Sequence, residues 1–540
     1  MPDPVAVRYA WADFPLGNLC GGNGLPASPF EREIAMASRP DRGDSEGSPR
    51  PMAGRTAYLY EPTPGLGMRG APNDGLCADV IPFFWKGKFH IMHLQLKPGQ
   101  KGWDWAQLVT PDFVSIDHQG VAIPGTRADD AIDRDIFTGS VIEKEGVLHA
   151  FYCGHNDALA KEKKPDQVML HATSTDGVTW TKDKGFLLSP EGDARYRWPG
   201  AFRDGFAFWN PERNEYGMVV TAAPVDAPQG GLAYARSVDL KQWTLGDPFP
   251  ASGRFPGYEC PDLFQWGDRW YLIFSTYWRN PGWTTRYMMA PSLEGPWTSP
   301  ADDFFDGGTL YAAKSVSDGT RRYLCGTLPR RDPDPQGIST DDGTNGWSGR
   351  ILIHELQRRP DGTLGTRIPS QVEESFGDPA AVRLPDHPWW SKTAAGGVQA
   401  AQGPVAFQLG TLPSRCFIRA ELTVPATGRA GFWIGGTKEG KEGFRVFVDV
   451  GSRRLVWDRN ERPLGSNPER ERNYRPVAVK PGDRVTLKIL LDGNAAVASI
   501  NDDVCLSTRI YDRREDTFGI WSDTVGSAFG NVTLRAGVAR

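Results

Sequence analysis

Three carboxylates stand out as residues that could do chemistry. Asp79 lies in Cys77-Ala78-Asp79-Val80-Ile81, Asp204 in Phe202-Arg203-Asp204-Gly205-Phe206, and Glu259 in Tyr258-Glu259-Cys260-Pro261-Asp262. Each precedes an apolar, aromatic run and then a polar turn. A carboxylate in such a setting is costly unless it is paired or functional. A single acid of this kind reads as a turn or cap residue. Three of them, expected at equivalent places in separate structural units, read as one site. Two carboxyl groups flanking one bond can divide the work of acid and of nucleophile or base, as cleavage of a glycosidic bond requires.

The elements that must position these acids are strands. Short runs of β-branched and aromatic residues alternate with turn clusters, and long stretches of helical periodicity are scarce. With 62 Gly and 44 Pro in 540 residues, the chain is rich in turn formers relative to an average of about 12%. A strand, a polar turn and then a Trp recur, with the Trp at positions 180, 243 and 297. Such a period, with several strands per unit, reads as propeller blades, the Trp packing between them. From about residue 390 the texture becomes regular alternating strands, such as Phe444-Arg445-Val446-Phe447-Val448-Asp449. That spacing suggests a β-sandwich. The expected fold class is therefore all-β, a β-propeller followed by a C-terminal β-sandwich. The expected boundaries are an irregular extension over 1–54, the propeller over 55–350, a linker over 351–389 and the sandwich over 390–540.

Composition excludes several classes. Lys and Arg number 61 against 66 Asp and Glu, a formal net charge of −5, so there is no electrostatic footprint for nucleic acid. No apolar run approaches the roughly 20 residues of a membrane span. The seven scattered cysteines form no C-x-x-C pair, which argues against a disulfide framework or structural zinc. Cys153-Gly154-His155-Asn156-Asp157 falls short of a metal ligand set; no metal and no cofactor are expected. Without a visible signal peptide the expected setting is cytoplasmic, a secreted form being compatible with a trimmed start. The oligomeric state is left open.

Residues around the acids could hold a sugar. His93 and Gln95 share a face of one strand, since alternate residues point the same way. Trp105 and Trp198 are possible stacking platforms, although core packing is the commoner role of a Trp.

The three acidic segments, in this order and spacing, resemble glycoside hydrolase family 32, which holds the β-fructofuranosidases, invertases, inulinases and levanases. Arg203-Asp204 is similar to that family's Arg-Asp-Pro motif, and Glu259-Cys260-Pro261-Asp262 to its Glu-Cys motif. Asp135-Ile136-Phe137-Thr138-Gly139-Ser140 resembles its Phe-Ser-Gly-Ser strand, and Asp306-Gly307-Gly308-Thr309-Leu310-Tyr311 a further conserved segment. The resemblance implies a five-bladed propeller followed by a sandwich and a retaining hydrolase of terminal β-fructofuranosides. It implies Asp79 as nucleophile, Glu259 as acid and base, and Asp204 as holder of sugar hydroxyls with Arg203 beside it. Phe137, Thr138, Asp306 and Tyr311 would join the substrate site, and the partner would be a small carbohydrate or oligosaccharide. Two departures are visible. The family's Asn-Asp-Pro-Asn-Gly is replaced by Ala78-Asp79-Val80, an alternative register being Asn73-Asp74-Gly75, and Gly205 stands where Pro is usual. These leave room for a clan relative of other specificity, an arabinofuranosidase or fructosyltransferase, or for a non-catalytic carbohydrate-binding homologue.

Overall fold

The computed structural model describes residues 6–9, 30–33, 55–56, 76–97, 99–227, 229–276, 284–331, 345–436, 443–459, 473–511 and 516–537. Met1–Arg50 forms a unit of its own. Within it Ala6–Tyr9 pairs antiparallel with Phe30–Glu33, so this segment is not wholly irregular as its composition suggests. Asn73-Asp74-Gly75 lies outside the described residues.

From residue 51 onward, five antiparallel sheets follow one another along the chain. Their first strands are Leu76–Trp85, Asp135–Lys144, Phe202–Asn210, Glu259–Trp266 and Tyr311–Ser317. Counted from this inner edge, the next strands in sequence are added outward by hairpins, and the first sheet also carries at its outer edge the short strand Arg55–Thr56 from earlier in the chain. Tight turns make this possible. Lys86-Gly87 and Glu145-Gly146 both take positive φ at the two central positions, 47° and 78° in the first and 54° and 83° in the second. That is the handedness which matches strand twist. The first strands touch in cyclic order, and Tyr311–Ser317 returns to lie against Leu76–Trp85.

The repeat seen in the sequence has a physical basis. After the third strand of three sheets, a Ser or Thr and an Asp two residues later close the same turn. Asp112, Asp176 and Asp239 each accept two backbone N–H groups, from Val114 and Ser115, Val178 and Thr179, and Lys241 and Gln242. Short polar side chains that bond nearby backbone favour such turns. The Trp that follows packs between sheets. Trp243 meets Phe151 of the second sheet edge-on at 5.3 Å, and Trp297 meets Phe249 at 5.4 Å.

The C-terminal part holds an eight-stranded and a six-stranded sheet. Their facing sides enclose a core that includes Ile418, Leu422, Phe432, Trp457, Leu487 and Ile520. The other side of the larger sheet packs on the fifth sheet, where Phe417, Leu490 and Val497 join one cluster with Leu328 and Ile351. Burial on both sides explains the nearly continuous apolar run in Arg484–Asp492. The linker expected over 351–389 needs correction. Residues 351–358 complete the strand Asn345–Arg358, and Leu364–Arg367 is the outer strand of the same sheet. Ala380–Ala381 already pairs with the sandwich strand Ala528–Ala536. Alternating apolar residues after position 350 belong to a blade-like sheet, and their nearness to the sandwich made them look like a connection.

Candidate active site

Each of the five first strands is broken at one place by a β-bulge. The irregularities fall between Ala78 and Val80, Phe137 and Gly139, Arg203 and Phe206, Glu259 and Asp262, and Tyr311 and Lys314. Four residues there adopt positive φ without being glycine: Asp79 at 30°, Asp204 at 60°, Cys260 at 50° and Ala312 at 51°. Such backbone is uncommon for side-chain-bearing residues. A bulge re-aims a side chain and collects at functional sites. Here the bulges turn one or two residues of every first strand toward a common centre.

The centre is a cavity of about 250 Å³ lined by Asp79, Phe137, Arg203, Asp204, Glu259, Cys260, Tyr311 and Trp347. This is below the roughly 300–1,000 Å³ of drug-sized pockets and suits one sugar ring. Its polar groups are tightly connected. Arg203 donates to Glu259 Oε1 at 2.5 Å and to Gln167 Oε1 at 3.3 Å, and its Nε lies 3.6 Å from Asp204 Oδ2. Tyr311 donates its hydroxyl to Glu259 Oε2. Asp204 Oδ2 accepts the Cys260 N–H at 3.1 Å. The Cys260 thiol lies between two acids, 3.7 Å from Asp79 Oδ2 and 4.0 Å from Asp204 Oδ2. Trp347 donates its indole N–H to Asp79 Oδ1 at 3.1 Å.

Burial sets the electrostatics. It pushes Asp79 up to about 7, with Asp204 and Glu259 adding repulsion and the Trp347 N–H and Lys314 opposing it. Burial also raises Glu259, helped by Asp204 and opposed by Arg203 and Tyr311. For Arg203 burial disfavours charge, but Asp204 and Glu259 outweigh it and keep the guanidinium protonated. The site thus holds two carboxyl groups of raised proton affinity beside one fixed cation, a pairing suited to acid and base exchange. Among the described residues no group of three His, Cys, Asp or Glu is disposed to hold a metal ion.

Comparison with known proteins places this geometry. Residues 71–357 match the glycosyl hydrolases family 32 N-terminal domain, and residues 392–535 match the glycosyl hydrolases family 32 C terminal. The chain belongs to glycosyl hydrolase family 32. It is 31% identical over 498 residues to a sucrose-6-phosphate hydrolase of Zymomonas mobilis, covering 85% of this chain and 88% of that protein. It is 27% identical over 485 residues to a raffinose invertase of Escherichia coli, covering 85% of this chain and 90% of that one. In fold it is similar to fructan 1-exohydrolase IIa from Cichorium intybus in complex with 1-kestose, with a TM-score of 0.68 at 17% identity, covering 90% of this chain and 98% of the other. Family 32 neighbours have a β-propeller followed by a β-sandwich, and the nearly all-β architecture here agrees.

The family 32 chain brings together Asp79, Asp204, Glu259, Arg203, Phe137 and Tyr311 from the expected set. It does not bring the others to the cavity. His93 is buried, 3.4 Å from the Cys77 sulfur and 3.1 Å from the Leu94 carbonyl oxygen. Gln95 sits opposite Cys77 and Asp104, toward the end of its strand. Both residues lie on the neighbouring strand Lys88–Leu96, and the bulge between Ala78 and Val80 leaves Asp79 without a partner opposite it, so a shared face on that strand does not point toward Asp79. Trp105 is fully buried and donates its N–H to the Phe137 carbonyl at 2.9 Å. Trp198 packs partly buried against two core clusters. Thr138 is a fully buried bulge residue that does not line the cavity. Asp306 is buried at the contact with the sandwich, bonded to His354 at 2.9 Å and to the Ser507 N–H at 2.7 Å.

The expected equivalence of the three acids is also corrected. Asp79 and Asp204 occupy the bulge position itself, but in the fourth sheet Cys260 does, and Glu259 stands one residue earlier. Glu259 is instead the counterpart of Phe137, Arg203 and Tyr311, the residues that precede the bulge. Trp347 was not anticipated. Its only signal is a large aromatic flanked by small residues in Gly346-Trp347-Ser348-Gly349.

Proposed function

We propose that this protein is a retaining glycoside hydrolase that releases terminal β-fructofuranosyl groups from a small carbohydrate, with Asp79 as nucleophile and Glu259 as acid and base. The observation that carries the reading is Asp79, Asp204 and Glu259 around one sugar-sized cavity, with Arg203 tied to two of them. The names of the relatives, a sucrose-6-phosphate hydrolase and an invertase, support the fructoside class.

The chemistry runs in two displacements. Glu259 gives its proton to the leaving oxygen while the Asp79 carboxylate bonds to the anomeric carbon. Glu259, now ionised, takes a proton from water as the water oxygen displaces Asp79. Asp204 accepts hydroxyl hydrogens of the ring held against it. The reactive form has one proton shared by Asp79 and Glu259, resting on Glu259, and the pair titrates as a unit. Burial beside the Asp204 carboxylate opposes ionising both at once. The Arg203 and Tyr311 contacts then hold the Glu259 carboxylate once its proton has gone.

The finer architecture supports the same reading. Five sheets whose first strands meet in cyclic order are the five blades of a propeller, with the cavity at its axis. The propeller domain extends to about residue 367, and the sandwich begins near 380.

The deciding experiment offers sucrose, sucrose 6-phosphate, inulin, levan and arabinofuranosides, with the first-formed anomer followed by NMR. Release of fructose with retained configuration is expected. Inversion, or cleavage confined to arabinofuranosides, would overturn the reading. Ala78-Asp79-Val80 in place of Asn-Asp-Pro-Asn is what keeps arabinofuranosides in the panel.

A further inference from the structure

A second cavity lies between the second and third sheets and shares no residue with the central one. It measures about 710 Å³, within the roughly 300–1,000 Å³ of small-molecule sites. Its walls include His149, His171, Asp183, Lys184, Lys241 and Trp243. His149 lies on the strand Val147–His155 and His171 on Gln167–Ser174. The register sets Phe151 opposite His171 and Thr173 opposite His149, so the two histidines share one face of the second sheet. Lys241 and Trp243 belong to the Asp239 turn of the third sheet.

The histidines form a chain that ends in this cavity. His149 Nδ1 lies 3.0 Å from His171 Nε2, and His171 Nδ1 lies 3.4 Å from Asp183 Oδ2. The two ring planes differ by 13°, with centroids 5.2 Å apart, as in rings joined edge to edge along the bond. Burial holds both imidazoles below their ordinary value, His149 at about 4, so both are neutral at neutral pH. The Gly185 N–H leads the contacts that keep Asp183 ionised. A carboxylate only accepts, and a neutral imidazole has one donor and one acceptor. His171 therefore donates its Nδ1–H to Asp183, and its Nε2 accepts the Nδ1–H of His149. That leaves His149 Nε2 as a bare acceptor. His149 is only 6% exposed, and its ring has no other hydrogen-bond partner among the described residues. A buried acceptor is costly unless a donor meets it.

The charge around that acceptor is positive. Lys182 is paired with Asp133 at 2.6 Å. Lys184 and Lys241 are exposed and unpaired among the described residues. Asp183 is the one carboxylate among the described lining residues, and its two oxygens face His171 and the Gly185 N–H. Trp243, partly buried, adds an aromatic wall suited to the C–H face of a sugar ring. We propose that this cavity binds an anionic sugar, a saccharide bearing a phosphate or a carboxylate, with a ring hydroxyl donating to His149 Nε2 and the anion held by Lys184 and Lys241.

The test titrates glucose 6-phosphate, glucuronate, sucrose and inorganic phosphate into the full chain and into the double variant Lys184→Ala, Lys241→Ala by calorimetry. In parallel the His149 Nε2 signal is followed by NMR in protein labelled with ¹⁵N-histidine, assigned by its loss in His149→Gln. At least one of the two sugar acids should bind and move that signal saturably, and the tighter of them names the anion. Its affinity should fall about tenfold or more in the double variant, the size of a hydrogen bond to a charged group. Sucrose held in the central cavity should leave the His149 signal unmoved. Unchanged affinity in the double variant, or a His149 signal that no sugar acid moves, would overturn the proposal. Inorganic phosphate bound as tightly as glucose 6-phosphate would do so too, since the site would then read an anion and no sugar. Sucrose moving the signal as strongly as the sugar acids would remove the charge from the recognition and equally defeat it. The calorimetric comparison stands even if His149→Gln does not fold.

Discussion

Trp347, from the fifth sheet, donates its indole N–H to Asp79 Oδ1 on the first sheet at 3.1 Å. The two residues are far apart in sequence and meet because the fifth sheet closes against the first. The same ring packs edge-on against Trp103 at 4.7 Å and lies 6.1 Å from Phe137. One side chain therefore both walls the cavity and fixes the carboxylate assigned as nucleophile.

Trp347→Phe keeps most of that wall and removes the donor. The lost hydrogen bond favours the ionised form of Asp79, so its removal makes Asp79 hold its proton to higher pH. A hydrogen bond to a charged group is worth about 1.5–3 kcal/mol. We expect kcat/KM to fall about tenfold to a hundredfold near pH 6 and to recover partly as pH rises. A loss of the same size at every pH would show that only the ring's packing matters.

Glu259→Gln is expected to lower kcat by about 10²- to 10⁴-fold, the usual range for a general acid and base, with thermal stability near the parent's. The deficit should shrink with a substrate such as fructosyl fluoride, whose leaving group needs little protonation. Full activity on sucrose in the variant would remove Glu259 from the role, whatever its place in the cavity.

These two residues show what the sequence made legible. The acid in Glu259-Cys260-Pro261 could be read from its short motif, because the backbone there supplies both the strand and the aimed side chain. Trp347 could not. It follows a stretch rich in Gly, Pro and Asp that looks like a connection, and its partner lies 268 positions earlier. The strands, turns and sandwich followed from local patterns of period two and from turn residues. The exact rank of each acid did not. A bulge shifts the register by one residue, and that shift put Cys260 where Glu259 had been expected. The misplacement of His93, and of Asp306 with partners 48 and 201 positions away, has the same origin in nonlocal packing.

Gly139 shows how little freedom the bulged strands have. A Cβ there would stand 1.9 Å from the Phe151 carbonyl oxygen, a backbone atom that cannot swing aside. Gly139→Ala is expected to cost at least about 1–3 kcal/mol through overpacking, seen as a lower midpoint in urea. Gly146→Ala is the control. It meets open space, and its φ of +83° is the only penalty, about 1 kcal/mol. Equal midpoints for the two variants would contradict the close approach of the first two strands of this sheet.

Asp306 and His354, bonded to each other, tie the fifth sheet to the larger C-terminal sheet through Ser507 and Cys505, and their titration sets a pH window for that lock. Burial works against charge on His354, but the Cys505 thiol and the Asp306 carboxylate outweigh it and lift the imidazole to about 9. Burial likewise opposes the Asp306 anion, yet His354 and Ser507 hold it below the ordinary carboxylate value. A histidine raised on folding contributes stability fully below its unfolded value, near 6.5, and loses it as pH rises through about 9. A depressed carboxylate contributes above its unfolded value, near 3.8, and loses that on further acidification. The lock is therefore complete between about pH 4 and pH 6.5 and weakens toward pH 9. Asp306→Asn leaves a buried cation without its anion, at about 3–5 kcal/mol. We expect its Tm to lie well below the parent's at pH 6 and to approach it at pH 9.5. Because Asp306 does not line the cavity, the folded variant should keep the parent KM for sucrose. A raised KM with an unchanged Tm would return Asp306 to the substrate site, and parallel decline of both proteins with pH would dissolve the lock.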